Sequence, residues 1–287
     1  MQNELDQPLQ DWVGRKRVSQ DILTAAPLKA LAATLNREQS FDTGDALPPL
    51  WHWLYFLEVS RSAELAEDGH AERGDFLPPI SLPRRMWAGS RLEFLRPMRV
   101  GEQVERHSEI KSVTLKEGRS GPLAFVCVAH AISDNAGILL REEHDIVYRD
   151  MPSAAAEAAP STKLESTADF AITIEADPKL LFRYSALTFN AHRIHYDRGY
   201  AQDAERYPGL VVHGPLLATL LLELFTENNP AAELASFEFK ALRPVFDIAE
   251  FQCCGTHIDQ QASSRLWVSD GAGSLCMEAS ARVKQTQ

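Results

Sequence analysis

Between Asn190 and Tyr196 the chain packs NAHRIHY, two histidines, an arginine, an asparagine and a tyrosine, with Asp197 next. An imidazole titrates near neutrality, so His195 is a candidate to take a proton from water or return one, with His192 a candidate substrate contact beside it. Asn190 cannot act as a base, but its carbonyl oxygen can orient a water. The guanidinium of Arg193 fits a carboxylate in two-pronged fashion, and equally a phosphate or solvent. Asp197 reads either as a member of the cluster or as a loop-to-helix cap. The HxxH spacing invites a metal. No HExxH and no further ligands cluster in the sequence, so none is expected.

Such groups need a positioning element, and one follows. From Gly214 the sequence GPLLATLLLELF repeats leucines at helical spacing and leaves no strongly polar face except at Glu223. This helix must be buried nearly all round. Gly214 suits an N-cap and Pro215 the first helical position, where a missing N–H costs nothing. Unpaired N–H groups and the positive dipole end therefore lie just after His213. They suit a carbonyl or a developing oxyanion, as acyl-thioester chemistry requires. Gly214 enters the candidate site through its backbone N–H and His213 as its neighbour.

FNAHRIHYD followed by VVHGPLLATLLLEL resembles the MaoC-like (R)-specific hydratase/dehydratase family of the hot-dog fold. The similarity is greatest to its two-module branch of mesaconyl-C4-CoA (3-methylfumaryl-CoA) hydratases, itaconyl-CoA hydratases and 3-hydroxyacyl-thioester dehydratases. It extends to the first half in LPPLWHWLYFLE, FLPPISLPRRMWAGSRLEF and EEHDIVYRD. The resemblance implies an α+β double hot-dog, two modules each with a long buried helix wrapped by a curved antiparallel sheet. It implies reversible hydration of an α,β-unsaturated acyl-CoA, with a branched C5 dicarboxylyl-CoA foremost, interconverted with citramalyl-CoA. His195 falls on the family's histidine, in a loop over the substrate thioester. Asn190 stands where simpler members carry a catalytic Asp, and His192 and Arg193 where they carry Asn and Pro. The two-residue acid–base scheme thus does not transfer unchanged. Fatty-acid 3-hydroxyacyl-thioester dehydration, a hot-dog thioesterase and a non-catalytic acyl-CoA binder stay open beside the leading expectation.

A length of 287 residues suits one large or two ordinary domains, and 45% hydrophobic with 24% charged residues describes a globular chain. The net charge of −11 gives no footprint for nucleic acid or an anionic membrane. It leaves room for a local basic pocket, and Arg84, Arg85 and Arg91 in RRMWAGSR are candidates for CoA phosphates. Four cysteines show neither CxxC nor zinc spacing. GxSxG, GxGxxG and Walker patterns are absent, so no cofactor beyond the CoA of the substrate is expected. The N-terminus lacks a signal pattern, and the most apolar window is too short to span a bilayer, so a cytoplasmic location is expected. Two double-module chains commonly pair further, making a homodimer the state to look for.

The chain order fits duplication. One or two peripheral helices are expected over 12–39, a buried helix over 47–57, a loop over 69–83 and strands at 90–95, 103–114, 123–133 and 139–148. The Ala/Pro/Ser-rich segment 151–168 reads as a linker between modules 1–150 and 169–287. After the second helix, strands are expected at 236–243, 248–258, 265–269 and 275–283. EFLRPMRVGEQVE in the first half echoes EFKALRPVFDIAEFQ in the second, with a two-residue shift. The first half has no NxxxxH counterpart ahead of its apolar stretch, so it reads as a non-catalytic module shaping the pocket.

Overall fold

A computed structural model describes residues 9–118, 121–151 and 167–285; the expected linker lies outside these except at its edges. Five strands of the first half, β1 (Lys16–Ile22), β2 (Arg84–Phe94), β3 (Gln103–Gly118), β4 (Gly121–Asp134) and β5 (Gly137–Arg149), are followed by five of the second. These are β6 (Phe170–Ile174), β7 (Leu234–Ala241), β8 (Phe251–Gly255), β9 (Ser263–Ser269) and β10 (Leu275–Val283). They form one ten-stranded sheet in the order β1-β3-β4-β5-β2-β7-β10-β9-β8-β6. The halves meet where β2 runs antiparallel to β7, Arg91 opposite Glu238. Each half also has a short outer helix, α1 (Ala25–Thr34) and α2 (Pro178–Leu187).

The main core element is α3 (Gly214–Asn228), which buries Leu216, Leu217, Ala218, Thr219, Leu221, Leu222, Leu224 and Phe225. Its apolar circumference leaves it no solvated face, and it lies against β6, β8, β9 and β10. Among the described residues no helix is long and apolar enough to cross a membrane.

Backbone bonds expose the internal duplication. The N–H groups of Leu95 and Arg96 share the carbonyl of Leu139, as those of Leu242 and Arg243 share that of Cys276. The Arg-Pro part of the sequence echo is thus structurally equivalent, while the Glu-Phe pairs are two positions out of register. Likewise Leu47 N–H donates to Met98 as Val212 N–H donates to Val245. Two residues on from Val212 the second half begins α3. Two residues on from Leu47 stands Pro49, and there the first half departs.

The helix expected over 47–57 is only a single 3-10 turn, Trp51–Leu54. Leu50 before it (φ 69°) and Phe56 after it (φ 54°) adopt left-handed backbone, which stops helix propagation. The apolar side chains are buried as their composition requires. Tethers fix the turn: Trp51 Nε1 donates to Glu223 of α3 (2.9 Å), and Trp53 Nε1 donates to buried Glu142 (3.0 Å). Beyond it, residues 57–83 cross to the second half instead of returning as helix. Arg193 N–H donates to the carbonyl of Asp68 (2.9 Å), and the Arg193 guanidinium reaches that of Glu67 (3.1 Å). Gly69 has φ +90°, and a Cβ on it would fall inside the carbonyl of Ala191.

The region 12–39 resolves into a strand and a helix because KRVSQDI alternates on an edge strand, with every second residue exposed. β2 starts six residues before the expected 90–95, because its pairing with β5 runs from Arg84 opposite Arg149; Arg84 is also buried in an ion pair with Glu205 (2.8 Å). α2 and β6 carried no clear periodic signal.

Two outcomes follow. Burial pushes the Glu223 carboxyl up, with Arg37 and the Trp51 hydrogen bond pulling it back. A raised carboxyl pKa means the folded state holds a proton the unfolded chain has lost, so stability falls as pH rises from the ordinary value of about 4.3 through the raised one. Glu223→Gln keeps the acceptor for Trp51 and should flatten that slope in urea titrations at successive pH values. Gly69→Ala should cost roughly 1–3 kcal/mol in the same assay, as overpacking does, and loosen the crossing segment from the loop it covers.

Candidate active site

The site assembles where the loop after α2 meets the start of α3. Phe189, at φ 50°, ends α2 and turns the chain into Asn190. The side-chain oxygen of Asn190 accepts the N–H of His192 (3.0 Å), so it braces the loop it begins. A 3-10 turn then carries Arg193 to His195.

His195 is 8% exposed, and its Nδ1 lies 2.7 Å from the Val211 carbonyl. A carbonyl only accepts, so Nδ1 carries the proton and Nε2 keeps its lone pair. Burial pushes His195 down to about 4, although the Val211 bond opposes this. It is a neutral base at physiological pH. Its ring stacks on His213 at 3.7 Å and 18°. His213 is the N-cap of α3, its side chain makes no capping bond, and its Nε2 meets Ser185 Oγ at 2.8 Å. Burial, then the neighbouring histidines, hold it well below the ordinary imidazole value.

The first intrahelical bond of α3 runs from Leu217 N–H to the His213 carbonyl. Gly214 and Leu216 therefore present N–H groups without helical partners, and Pro215 has none to present. A Cβ on Gly214 would meet only the Trp87 carbonyl, at 3.8 Å, an ordinary contact. Packing does not demand glycine here, whereas close approach of a ligand oxygen to the N–H would be helped by it.

His192 stands at right angles to His195, ring centres 5.4 Å apart. On its other side is a residue pair that sequence reasoning missed. His70 lies 4.0 Å from the His192 ring, and its Nδ1 is 2.9 Å from a carboxylate oxygen of Asp68. Burial works to raise the Asp68 carboxyl, but the hydrogen bond and charge of His70 hold it below the usual range. Burial lowers His70, with Asp68 opposing and Arg85 and Arg73 adding to the fall. The donor atoms of Asp68, His70 and His192 lie within 4.8 Å of one another. Arg85 and Arg73 beside them raise the cost of a cation there.

The other candidates separate. Arg193 bonds Asp197 through Nε (3.1 Å) and Nη2 (2.8 Å), and Asp197 also caps Tyr200 N–H (3.0 Å). Asp197 is thus a cap, and Arg193 a strap to the crossing segment. Arg84 is buried against Glu205 and over the Tyr207 ring (4.8 Å). Arg91 is ion-paired with Glu143 and Asp145 on the exposed sheet face. Arg85 alone of that trio is brought among the histidines, felt electrostatically by both His70 and His192.

Comparison with known proteins agrees with this architecture. The profile of hydroxyacyl-thioester dehydratase type 2 matches residues 50–247. The chain is 46% identical to a mesaconyl-C(4)-CoA hydratase of Chloroflexus aurantiacus, covering 92% of this chain and 94% of the relative. It is 31% identical to the mitochondrial hydroxyacyl-thioester dehydratase type 2 of Schizosaccharomyces pombe, over 83% and 89%. Among solved structures, a MaoC-like dehydratase from Phytophthora capsici superposes with TM-score 0.70 at 13% identity, over 98% and 99%. A Mycobacterium tuberculosis protein described as a double hot-dog does so with TM-score 0.58 at 15% identity, over 96% and 98%. The fold is the double hot-dog, with the helix of its first half cut to one turn. With a profile match across most of its length and full-length relatives above 30% identity, the chain belongs to the hydroxyacyl-thioester dehydratase type 2 family of MaoC-like hydro-lyases.

Proposed function

We propose that the chain adds water to, and removes it from, an α,β-unsaturated acyl-CoA, with mesaconyl-C4-CoA the leading substrate. The observation that carries this is a buried neutral imidazole with a free Nε2, stacked on the residue that opens α3. Water addition to a conjugated thioester needs a base at the attacking oxygen and donors at the oxygen where charge gathers. His195 supplies the first, and the N–H groups of Gly214 and Leu216 supply the second. Asn190, an amide and so no base, accepts the His192 N–H through its side-chain oxygen, and we assign it to bracing the loop rather than to orienting the water. His213 and His192 line the pocket on either side of His195.

The acyl group follows from charge and kinship. The Chloroflexus relative is named for a dicarboxylyl thioester. Arg193, the arginine first considered for its carboxylate, is already paired with Asp197, whereas Arg85, first considered for CoA phosphates, acts on both His70 and His192. We assign the carboxylate to Arg85. Cytoplasmic location and a homodimer of such chains belong to the same proposal. The Schizosaccharomyces relative keeps 3-hydroxyacyl-thioester dehydration as the second reading, the same chemistry on an uncharged chain.

The first test follows loss of the conjugated-thioester absorbance with mesaconyl-C4-CoA, itaconyl-CoA and crotonyl-CoA, with mass spectrometry of products. Water addition to the dicarboxylyl thioesters is expected; release of free CoA without hydration would refute the reading. His195→Ala should lower kcat by at least ~100-fold with circular dichroism unchanged. The acid limb of kcat/KM should lie well below the ordinary histidine value of about 6.5, because burial holds His195 at about 4. Arg85→Gln should lower kcat/KM for the dicarboxylyl substrate by about 10- to 100-fold, the worth of a charged hydrogen bond, and leave crotonyl-CoA unaffected.

A further inference from the structure

A hydration needs two proton transfers, one from water and one to the α-carbon, and position 190 offers an amide where a carboxylate is expected. The crossing segment of the first half brings a different carboxylate, that of Asp68, within 4.8 Å of the donor atoms of His70 and His192. Asp68 and His70 are each 20% exposed at the side chain, and their 2.9 Å contact leaves His70 Nε2 as the free nitrogen. His70 faces His192 at 4.0 Å, and His192 faces His195 at 5.4 Å, so three imidazoles run from the crossing segment to the start of α3. A carboxylate on Nδ1 fixes tautomer and orientation of an imidazole whose Nε2 works. Gly69 between them has no room for a side chain, so the segment is held against the loop that bears His192.

We propose that Asp68 and His70 form a second acid–base group of this site, His70 exchanging the proton at the substrate α-carbon and Asp68 positioning it; this rests on the hydratase reading above. In hydration, His195 Nε2 takes a proton from water as the water oxygen bonds the β-carbon. The π electrons move towards the thioester oxygen, held by the N–H groups of α3. His70, protonated, then gives its proton to the α-carbon as the thioester carbonyl re-forms. One H and one OH have been added, and the surplus proton on His195 returns to His70 by way of His192 or solvent. Dehydration runs the same steps backwards. The first half is then a contributor to the chemistry and not only a wall of the pocket.

The groups around His70 set the expected pH behaviour. Asp68 and Arg73 lie on its own segment, Arg85 on β2, His192 on the facing loop, and His195 beyond it. Asp68 favours the protonated ring and the arginines oppose it. In the full-length protein, His70→Gln should reduce kcat by ~100-fold or more, the worth of a general acid–base group, with KM little changed. Asp68→Asn should reduce kcat less and move its basic limb to lower pH, because the protonated imidazole loses its counter-charge. Added imidazole should restore part of the turnover of His70→Gly, with thermal melts of all variants matching wild type. Wild-type kcat in His70→Gln, or a loss confined to KM, would overturn the proposal. So would an Asp68→Asn profile with an unmoved limb, or a bound divalent metal whose chelation abolishes wild-type turnover. The wild-type assay separates the two levels. No hydration by wild type refutes the hydratase reading and this inference with it, whereas active wild type with fully active His70→Gln refutes this inference alone.

Discussion

A helix without a polar face must start somewhere inside the protein, and that constraint shapes everything around α3. Its first N–H groups have no partners within the helix. In this chain His213 caps the position without bonding the helix through its side chain. Two neutral rings, His213 and His195, stack over the spot instead. Were both charged at 3.7 Å, repulsion would be about 4 kcal/mol at an effective dielectric of 20. The pair therefore strongly disfavours carrying two positive charges at once. A base made neutral by burial and seated beside unpaired donors therefore comes with the helix.

The first half shows what the same fold becomes when that helix is given up. Its backbone follows the second half bond for bond through Leu47 and Met98, then breaks at Leu50 in left-handed geometry. What leaves the core is a segment long enough to reach the other half. Trp51, Trp53 and His52 anchor its root through Glu223 and Glu142. Arg193 and Gly69 fix its far end. Covalent union of the modules lets the halves diverge in this way: two identical subunits would have to lose the helix together or keep it together.

Much of this was legible in the residues. The 3.6-residue leucine repeat from Gly214 marked α3, Gly-Pro marked its start, partial alternation marked β3 and β-prone composition marked β4. NxxxxH pointed to the loop, and His195 sits at the helix start as that pattern suggests. The 47–57 segment misled because burial and helicity were inferred from the same apolar content, and only burial holds. Asp68 and His70 were invisible because contact between residues 68 and 192 has no periodic trace in sequence. Their Gly-rich setting, DGHAERGD, reads as an ordinary turn, and the left-handed backbone of Gly69 together with its close approach to Ala191 explains the glycine.

Arginine placement illustrates why charge alone could not locate a ligand. Arg84, Arg85 and Arg91 share one strand, yet a buried ion pair absorbs the first and surface carboxylates the last. A guanidinium with its carboxylate already in place offers little to a substrate, since a new anion must displace the old one at the cost of the existing bonds. Arg193 is excluded by the same reasoning, its fork closed on Asp197. What distinguishes Arg85 is its company: its charge is felt by His70 and His192, in a cluster whose carboxylate, Asp68, is already hydrogen-bonded to His70. In an acidic protein, a local positive potential can still arise where two arginines, Arg85 and Arg73, act on a cluster holding one carboxylate, Asp68.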